Sequence, residues 1–416
     1  MRRRDFLKLS ALAAGPLIIP LGSDAWAALN LRSGSEKRLV VVFLRGAVDG
    51  LNVVVPYGDP AYYQARRSIA IPQPGNGGAL NLDGRFGLHP ALASMMPLWQ
   101  RGQLAFVQAC GSPSGSRSHF DAQHFMESGT PDVLATPDGW MNRLLATMPG
   151  SHAPTQAIAI GPTMPDILKG KVSVANMPFG KAGVRPAAVD RPQVGAAFAS
   201  MYGGNDAMSQ AFQQGQEARK EVMAASADET AMDEEQRKAN NGAPLPNGFA
   251  MQTGKLAQLM ARDSGIQLAF LAVGGWDTHV GQGNANGQLA NRLKPLGEGL
   301  AALAEGLGDR WQDTVVVVIS EFGRTVHENG NGGTDHGHGN VMWVMGGKVR
   351  GGKVYGEWPG LSQDRLYQGR DLAVTTDFRT AIGAVLQEHM GLGAAELKAV
   401  FPAMPAGAAF PQLIKA

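Results

Sequence analysis

Short, continuous apolar runs recur along the chain and predict buried strands. Runs of four to eight apolar residues are typical of strands that are covered on both faces. Six such runs stand out, at residues 39–44, 104–109, 157–160, 266–273, 314–319 and 341–345. Helical patterns lie between them at residues 90–100, 289–307 and 378–390. Because strands that alternate with helices usually form a parallel sheet, the pattern predicts an α/β fold with a mostly parallel central sheet and helices on both faces.

Residues 201–247 break this alternation. The segment is polar, is rich in Ala, Gln, Glu and Lys, and ends in the loop sequence Asn-Asn-Gly-Ala-Pro at residues 240–244. It predicts one or two exposed helices and a loop, inserted between strands of one large domain that spans residues 28–416. A solvated surface insertion is one interpretation, and a lid over an active site is the other.

The first 27 residues have the pattern of an export signal. Paired arginines open the sequence Arg-Arg-Asp-Phe-Leu-Lys at residues 3–8, and an apolar run at 9–21 and the small residues Ala25 and Ala27 follow. This pattern resembles a bacterial twin-arginine signal peptide. It predicts a periplasmic or secreted protein that meets the twin-arginine translocase during export. A retained N-terminal anchor is the alternative, but the apolar run is short for a membrane span and contains Gly15, Pro16 and Pro20.

Charge and cysteine content narrow the function classes. The chain has 37 Lys and Arg against 35 Asp and Glu, and removal of residues 1–27 leaves a formally neutral protein. A neutral chain lacks the basic footprint of a nucleic-acid-binding protein. The single cysteine, Cys110, excludes an intramolecular disulfide and a multi-cysteine zinc site. We also expect no membrane-spanning segment in the mature chain.

Polar residues follow several of the predicted strands at their carboxyl ends, where open α/β sheets bind ligands. These residues are Asp49, Ser116, Ser118, His119, Asp277, His279 and Glu321, and a Gly-rich loop before the last strand adds Asp335, His336 and His338. Carboxylates and imidazoles without thiolates suit Zn²⁺, Mn²⁺, Mg²⁺ or Ca²⁺. The convergence predicts a site for one or two divalent ions.

Each of these residues also has an ordinary structural explanation. An aspartate after a strand is often a turn residue or helix cap, and Ser118 with Asp121 fits a relaxed capping box. The Gly-rich loop is also compatible with simple flexibility. The sequence contains no nucleophile elbow, P-loop, dinucleotide fingerprint or His-Glu-x-x-His motif.

Several segments together resemble one bacterial family. They are residues 3–8, 43–52, 116–121, 275–279, 320–325 and 333–339. The family is labelled domain of unknown function 1501 and looks like a branch of the alkaline phosphatase and sulfatase superfamily. The resemblance covers nearly the whole mature chain. It implies a parallel sheet between helices, a two-metal site, and a serine, threonine or formylglycine nucleophile at a helix N-terminus.

The resemblance also implies a role for each matching residue. Asp49 resembles the first-strand metal ligand, and Ser118, with Ser116 as runner-up, lies where the nucleophile opens a helix. The metal ligands implied are Asp277, His279, Glu321, Asp335, His336 and His338. Arg45, Arg117 or Arg324 would clamp an oxyanion, and of these only Arg117 is adjacent to the proposed nucleophile.

At two places the sequence departs from the superfamily pattern, and there the residue roles implied by the resemblance do not apply directly. Glu321-Phe322 stands where relatives have Asp-His, so one metal site lacks a ligand or takes it from Asp335-His336. Cys110 is followed by Gly-Ser-Pro, which disfavours a formylglycine sulfatase.

The sequence therefore predicts an exported metal-dependent hydrolase or transferase that acts on small-molecule or cell-envelope phosphate or sulfate esters through a serine. The rival is a non-catalytic, metal-stabilised binding or assembly protein on the same fold. A serine hydrolase without metal, with His119 or His279 as base, is a third possibility.

Overall fold

Twelve strands lie in the part of the chain that the computed structural model describes, which is residues 37–150, 152–161, 163–177, 200, 203–204, 234–405 and 410–415. They are β1 (Arg38–Leu44), β2 (Val54–Val55), β3 (Leu80–Asn81), β4 (Gly87–Leu88), β5 (Leu104–Gly111), β6 (Ala157–Ile160), β7 (Ala175–Met177), β8 (Leu268–Val273), β9 (Thr314–Ser320), β10 (Asn340–Gly346), β11 (Lys353–Tyr355) and β12 (Thr376–Asp377). Each of the six apolar runs coincides with one of the longer strands.

The central sheet has the order β11-β5-β10-β9-β1-β8-β6-β7, with β12 beside β5. Strand β1 is parallel to both β8 and β9, and β6 is parallel to β7 and β8. Strand β10 runs antiparallel to β9 and β5. The predicted α/β class with a mostly parallel sheet is confirmed. The reversal of β10 follows from its connection, because the chain leaves β9 at the carboxyl edge and re-enters the sheet from that edge.

Ten α-helices are described. They are α1 (Gly50–Val53), α2 (Pro60–Ala65), α3 (Met96–Gln100), α4 (His119–Ser128), α5 (Trp140–Thr147), α6 (Glu234–Asn240), α7 (Phe249–Arg262), α8 (Gln288–Gly306), α9 (Phe378–Glu388) and α10 (Ala394–Val400). The helix predicted at 90–100 is divided into a 3₁₀ segment, Pro90–Met95, and α3. Leu92, inside the 3₁₀ segment, has non-helical backbone angles of φ −94° and ψ 21°, and Pro97 has no N–H with which to continue a hydrogen-bonded helix from that segment.

Alternate side chains of β1 enter two different cores. Val40, Val42 and Leu44 pack with residues of α7 and α8, whereas Leu39, Val41 and Phe43 pack with residues of α5, α9 and α10. All six side chains are at most 1% exposed. Because successive strand residues face opposite sides, helices on both faces require an uninterrupted apolar run, and this explains the pattern in the sequence.

Parts of two predictions lie outside the described residues. These parts are the export signal at residues 1–27 and most of the polar insertion, including residues 205–233. The C-terminal part of the insertion forms α6, so a helix does occur there. In the portion of the chain that is described, no helix has the length and apolar character needed to span a membrane.

Candidate metal centre

Loops from distant parts of the chain meet at the carboxyl edge of the sheet. Asp277 and His279 follow β8, Glu321 follows β9, and His336 lies in the loop that leads into β10. His119, the first residue of α4, joins them although it lies more than 150 residues away in sequence from the nearest of these. The parallel strands around β1 end at this edge, which is why these loops come together.

Three imidazoles surround one oxygen of Asp277. The distances from Asp277 Oδ1 are 3.0 Å to His279 Nε2, 3.3 Å to His336 Nε2 and 3.4 Å to His119 Nε2. His336 Nε2 lies 2.9 Å from the same atom of His119 and 3.0 Å from that of His279. Three ring nitrogens and a carboxylate oxygen therefore converge on one small volume.

The outer nitrogen of each ring is held by an oxygen. The contacts are His119 Nδ1 to Glu321 at 2.8 Å, His279 Nδ1 to Asp335 at 3.2 Å, and His336 Nδ1 to the Arg117 carbonyl at 2.9 Å. A neutral imidazole that donates from Nδ1 presents its lone pair at Nε2, and metal-binding histidines are usually oriented in this way. The arrangement fits a divalent ion, which would satisfy three lone pairs and a carboxylate that otherwise face one another.

Asp277 is the negative centre of the cluster. It is 1% exposed, and burial alone would raise its pKa. Hydrogen bonds from the three histidines and the charge of Arg324 outweigh burial and hold the pKa of Asp277 well below its usual range. Burial has the opposite effect on His119, whose pKa it lowers. Hydrogen bonds to Asp277 and Glu321 outweigh burial and raise the pKa of His119 to about 9. Asp277 Oδ2 is buried and has no hydrogen-bond partner among the described residues.

Arg324 is fully used in holding the loops. Its Nη2 donates to Asp277 Oδ1 at 2.5 Å and to the carbonyl of Gly46 at 2.6 Å, and its Nε donates to the carbonyl of Ala47 at 2.7 Å. Gly46 has φ +108°, and a Cβ there would lie 2.9 Å from the Asp277 nitrogen, so the turn after β1 requires glycine. Arg324 is therefore a buried side chain that holds these loops together, and it is not placed to bind an anionic substrate group.

Glu321 holds His119 from behind. The buried carboxylate accepts hydrogen bonds from the Gly46 backbone at 2.7 Å and from Gln123 Nε2 at 3.0 Å in addition to its contact with His119. Burial raises the pKa of Glu321, but the bond to His119 and the other donors lower it overall. The structure gives Glu321 the geometry of a residue that orients a ligand.

Asp49 pairs with Arg66 and Gln282, and no contact joins it to the three histidines of the cluster among the described residues. It is fully buried in an ion pair, with Arg66 Nη1 at 2.6 Å from its Oδ2, and Gln282 Nε2 donates to the same oxygen at 2.6 Å. The three-donor groups that could hold an ion in the described part of the chain do not include Asp49. The metal role implied for it by family resemblance stays a prediction.

The predicted nucleophiles lie at the start of α4. Ser118 is exposed and caps the helix, since its Oγ accepts from the Asp121 backbone at 3.4 Å, while the Oγ of Ser116 accepts from the Ser118 backbone at 3.3 Å. The Arg117 guanidinium lies 2.5 Å from Asp371. Ser118 therefore has the predicted cap position, between Arg117 and His119, which both contact the cluster.

Two other predicted residues have partners elsewhere. Arg45 is buried in an ion pair with Glu127 at 2.5 Å. His338 stacks on Tyr367 with ring centroids 4.1 Å apart, and burial lowers the pKa of His338. The structure does not bring His338 to Asp277, so it is not part of the cluster.

Two residues at the cluster were not assigned to metal binding from the sequence. The sequence places His119 among the polar residues that follow strands and offers it as a base, and Glu235 lies in the polar insertion. Ligand atoms of His119, Asp277 and His336 lie within 4.8 Å of one another, and so do those of Glu235, Asp277 and His279. The position of His119 directly after Ser118 was the available signal for the first, whereas the charged sequence around Glu235 offered none.

A cavity of about 520 Å³ opens beside the cluster. His119 and Phe120 of α4 form one side, and Phe120 is 76% exposed. Glu235, Arg237 and Lys238 of α6 line the opposite side. The centre is thus accessible to a molecule that fits between α4 and α6.

Solved structures with some similarity share little sequence with this chain. A crystal structure of Ps i-CgsB in complex with k-i-k-neocarrahexaose is 9% identical, with a TM-score of 0.43, and covers 88% of this chain and 76% of that one. A protein in the alkaline phosphatase superfamily from Vibrio parahaemolyticus is 11% identical, with a TM-score of 0.37, over 78% of this chain and 63% of that one. The lipoteichoic acid synthase LtaP from Listeria monocytogenes is 11% identical, with a TM-score of 0.30, over 85% and 80%.

Among curated proteins, no match was found. A family model does match, over residues 36–401, and is described as a protein of unknown function, DUF1501. This range includes all the residues of the cluster described above and of the cavity beside it. The chain belongs to the DUF1501 family.

Proposed function

We propose that this protein is an exported metal-dependent hydrolase or transferase that acts on phosphate or sulfate esters through Ser118. The observation that carries the proposal is the convergence of three Nε2 atoms on Asp277 Oδ1, each ring held by an oxygen at its Nδ1. The ion would be held by His119, Asp277, His279 and His336. A set dominated by imidazole favours Zn²⁺ over Mn²⁺, Mg²⁺ and Ca²⁺.

A bound divalent ion lowers the pKa of a nearby hydroxyl and neutralises charge on the transferred group. The chain's own residues supply orientation. Glu321, Asp335 and the Arg117 carbonyl fix the three rings, and Arg324 fixes Asp277. Because these partners are already in place, the ligands need little reorganisation to bind.

Ser118 is the proposed nucleophile because of its position on α4. It precedes the first residue of a ten-residue helix, whose N-terminal N–H groups favour an anionic ester group. Its hydroxyl oxygen bonds to phosphorus or sulfur while the bond from that atom to the alcohol oxygen breaks. The proton that the serine loses passes, directly or through water, to the departing oxygen, which leaves as the alcohol. Attack on the seryl ester by water gives hydrolysis, and attack by another alcohol gives transfer.

The substrate would occupy the cavity between α4 and α6. Arg237 supplies positive charge on its wall, where Lys238 is paired with Glu234, and Phe120 supplies an exposed apolar surface. Export through the twin-arginine pathway, proposed from residues 1–27, would place the enzyme with small-molecule or cell-envelope esters. That pathway carries folded proteins, so the ion could be loaded before export.

Metal content and ester turnover, measured on the same untagged preparations, test the proposal. We would use elemental mass spectrometry and a panel of a phosphomonoester, a phosphodiester and a sulfate ester. We expect near-stoichiometric metal in the wild type, in Ser118→Ala and in the control Ser264→Ala, whose residue precedes β8 at the opposite edge of the sheet. Turnover should be lost only in Ser118→Ala.

The other outcomes separate the alternatives. Unchanged turnover in Ser118→Ala would contradict the assignment and direct attention to Ser116. Metal without turnover on any ester would favour the binding or assembly protein. Turnover that survives metal removal would favour a metal-free serine hydrolase, and no metal after reconstitution with Zn²⁺, Mn²⁺, Mg²⁺ and Ca²⁺ would contradict the metal centre itself.

A further inference from the structure

The polar insertion reaches the candidate metal centre through α6. A carboxylate oxygen of Glu235, one of Asp277 and a ring nitrogen of His279 all lie within 4.8 Å of one another. This second donor group shares Asp277 with the group formed by His119 and His336. Glu235 is exposed, so it approaches the cluster from the side of the cavity.

Hydrogen bonds of side-chain amides fix the position of α6 against the cluster. The bonds are Gln123 Nε2 to the Ala239 carbonyl at 2.7 Å, the Gly275 backbone to Asn240 Oδ1 at 2.6 Å, and Gln236 Nε2 to the Asp277 carbonyl at 3.3 Å. Two of these bonds go to the loop after β8 that carries Asp277 and His279. The distance between Glu235 and that loop is therefore set by the helix and its anchors.

The carboxylates of Asp277 and Glu235 together favour the binding of a cation. Asp277 Oδ1 is shared by Arg324 and the three imidazoles, whereas Asp277 Oδ2 is buried and has no partner among the described residues. A second carboxylate within 4.8 Å of Asp277 adds negative charge at close range. Two carboxylates at such a distance repel each other unless a proton or a cation lies between them.

We propose that Glu235 is a ligand of the bound ion, contributed by the insertion, so that the ion joins α6 to the edge of the sheet. This inference rests on the metal centre of the proposed function. With the charge of Glu235 taken up by the ion, the charged side chains left on the α6 wall of the cavity are Arg237 and Lys238, and Lys238 is paired with Glu234. That wall then suits an ester whose non-reacting part carries a further negative charge.

Affinity for Zn²⁺ tests the inference without relying on turnover. Chelator competition would be run on the full chain as wild type, as Glu235→Gln and as Glu234→Gln. Glu234 is a matched control because it is adjacent on α6, its side chain is 75% exposed, and it pairs with Lys238 at 2.9 Å. We expect Glu235→Gln to weaken Zn²⁺ binding by about tenfold or more, and Glu234→Gln to leave it within about twofold.

A spectroscopic measurement accompanies the affinities. Co²⁺ substituted for Zn²⁺ reports its ligand set in its visible absorption, and we expect Glu235→Gln, but not Glu234→Gln, to change that spectrum. Equal affinities and equal spectra for the two variants would overturn the role of Glu235 and leave the rest of the metal centre standing. Failure of the wild type to bind either ion would overturn both proposals. Thermal unfolding of the metal-free variants checks that each is folded.

Discussion

Asp49 and Asp277 are two buried carboxylates that follow paired parallel strands, and they have very different partners. Asp49, after β1, is matched by the guanidinium of Arg66, whereas Asp277, after β8, is matched by Arg324 and three imidazoles. Both are at most 1% exposed, and each has one oxygen without a partner among the described residues. Burial and an unpartnered oxygen therefore do not distinguish the two sites.

The difference lies in what the partners can release. A guanidinium has only hydrogen-bond donors and no acceptor nitrogen, so Arg66 can pair with Asp49 but cannot bind a metal ion. An imidazole can give up its proton and bind a metal through the vacated nitrogen. The comparison indicates that the Asp49–Arg66 pair after β1 is a fixed structural ion pair. The site after β8 is able to release protons and bind an ion in their place.

The largest expected effect comes from breaking the ion pair between Asp49 and Arg66. Asp49→Ala leaves Arg66 buried without its counter-charge, and loss of one partner from a buried pair costs about 3–5 kcal/mol. The control is Asp313→Ala, which breaks a partly exposed pair with Lys37 at 2.7 Å and should cost no more than about 1 kcal/mol. Urea unfolding of the metal-free proteins measures both values. If Asp49→Ala lowered the free energy of unfolding as little as the control does, the Asp49–Arg66 pair would not stabilise the fold.

Ion binding should respond in the opposite order. Asp277→Asn removes the central anion while keeping its size, and we expect Zn²⁺ affinity to fall by about 100-fold because the variant loses a charged ligand. Asp49→Asn, the same chemical change after the neighbouring strand, should leave Zn²⁺ affinity within about threefold. Chelator competition measures both. Equal losses would show that Asp49 also binds the ion, as the family resemblance implies.

The sheet was largely readable from the sequence because its geometry imposes a local pattern. Every one of the six apolar runs became a strand, since burial on both faces needs apolar residues at every position. The direction of β10 was not readable, because an apolar run is the same in either direction. The bend at the end of β5 was hidden as well, where Ala109 has φ +50° beside an irregular pairing with β10.

Only the site residues that lie near strand ends could be predicted from the sequence. Asp277 and His279 were found because polar residues after parallel strands share an edge, and His336 because it lies in the Gly-rich loop between β9 and β10. The role of His119 depends on meeting His336, 217 residues away, and the pairing of Asp49 depends on the fold of α2 and the segment after it. No local pattern encodes such distances. His338, two residues from His336, turns instead to Tyr367, because neighbouring positions in a loop need not face the same way.

The smallest expected effect concerns a histidine whose ring nitrogens contact backbone groups instead of carboxylates, and it sharpens the contrast with His119. His89 is buried, its Nδ1 accepts from the Ala91 backbone at 3.0 Å, and its Nε2 lies 3.1 Å from the Asn284 carbonyl. Burial lowers the pKa of His89 to about 4, whereas contacts with carboxylates raise that of His119 to about 9. The environment therefore moves two histidines of one chain in opposite directions.

Because His89 takes up a proton more readily in the unfolded chain, its contribution to stability is present above pH 6.5 and is lost as pH falls from there towards 4. We expect this residue to reduce the free energy of unfolding by about 2 kcal/mol between pH 7 and pH 5. His89→Asn keeps an acceptor for the Ala91 N–H but does not titrate, so the pH dependence of this variant should be shallower by that amount. Urea unfolding at both pH values, on metal-free wild type and variant, measures the difference, and parallel curves would mean that His89 is not held neutral by burial.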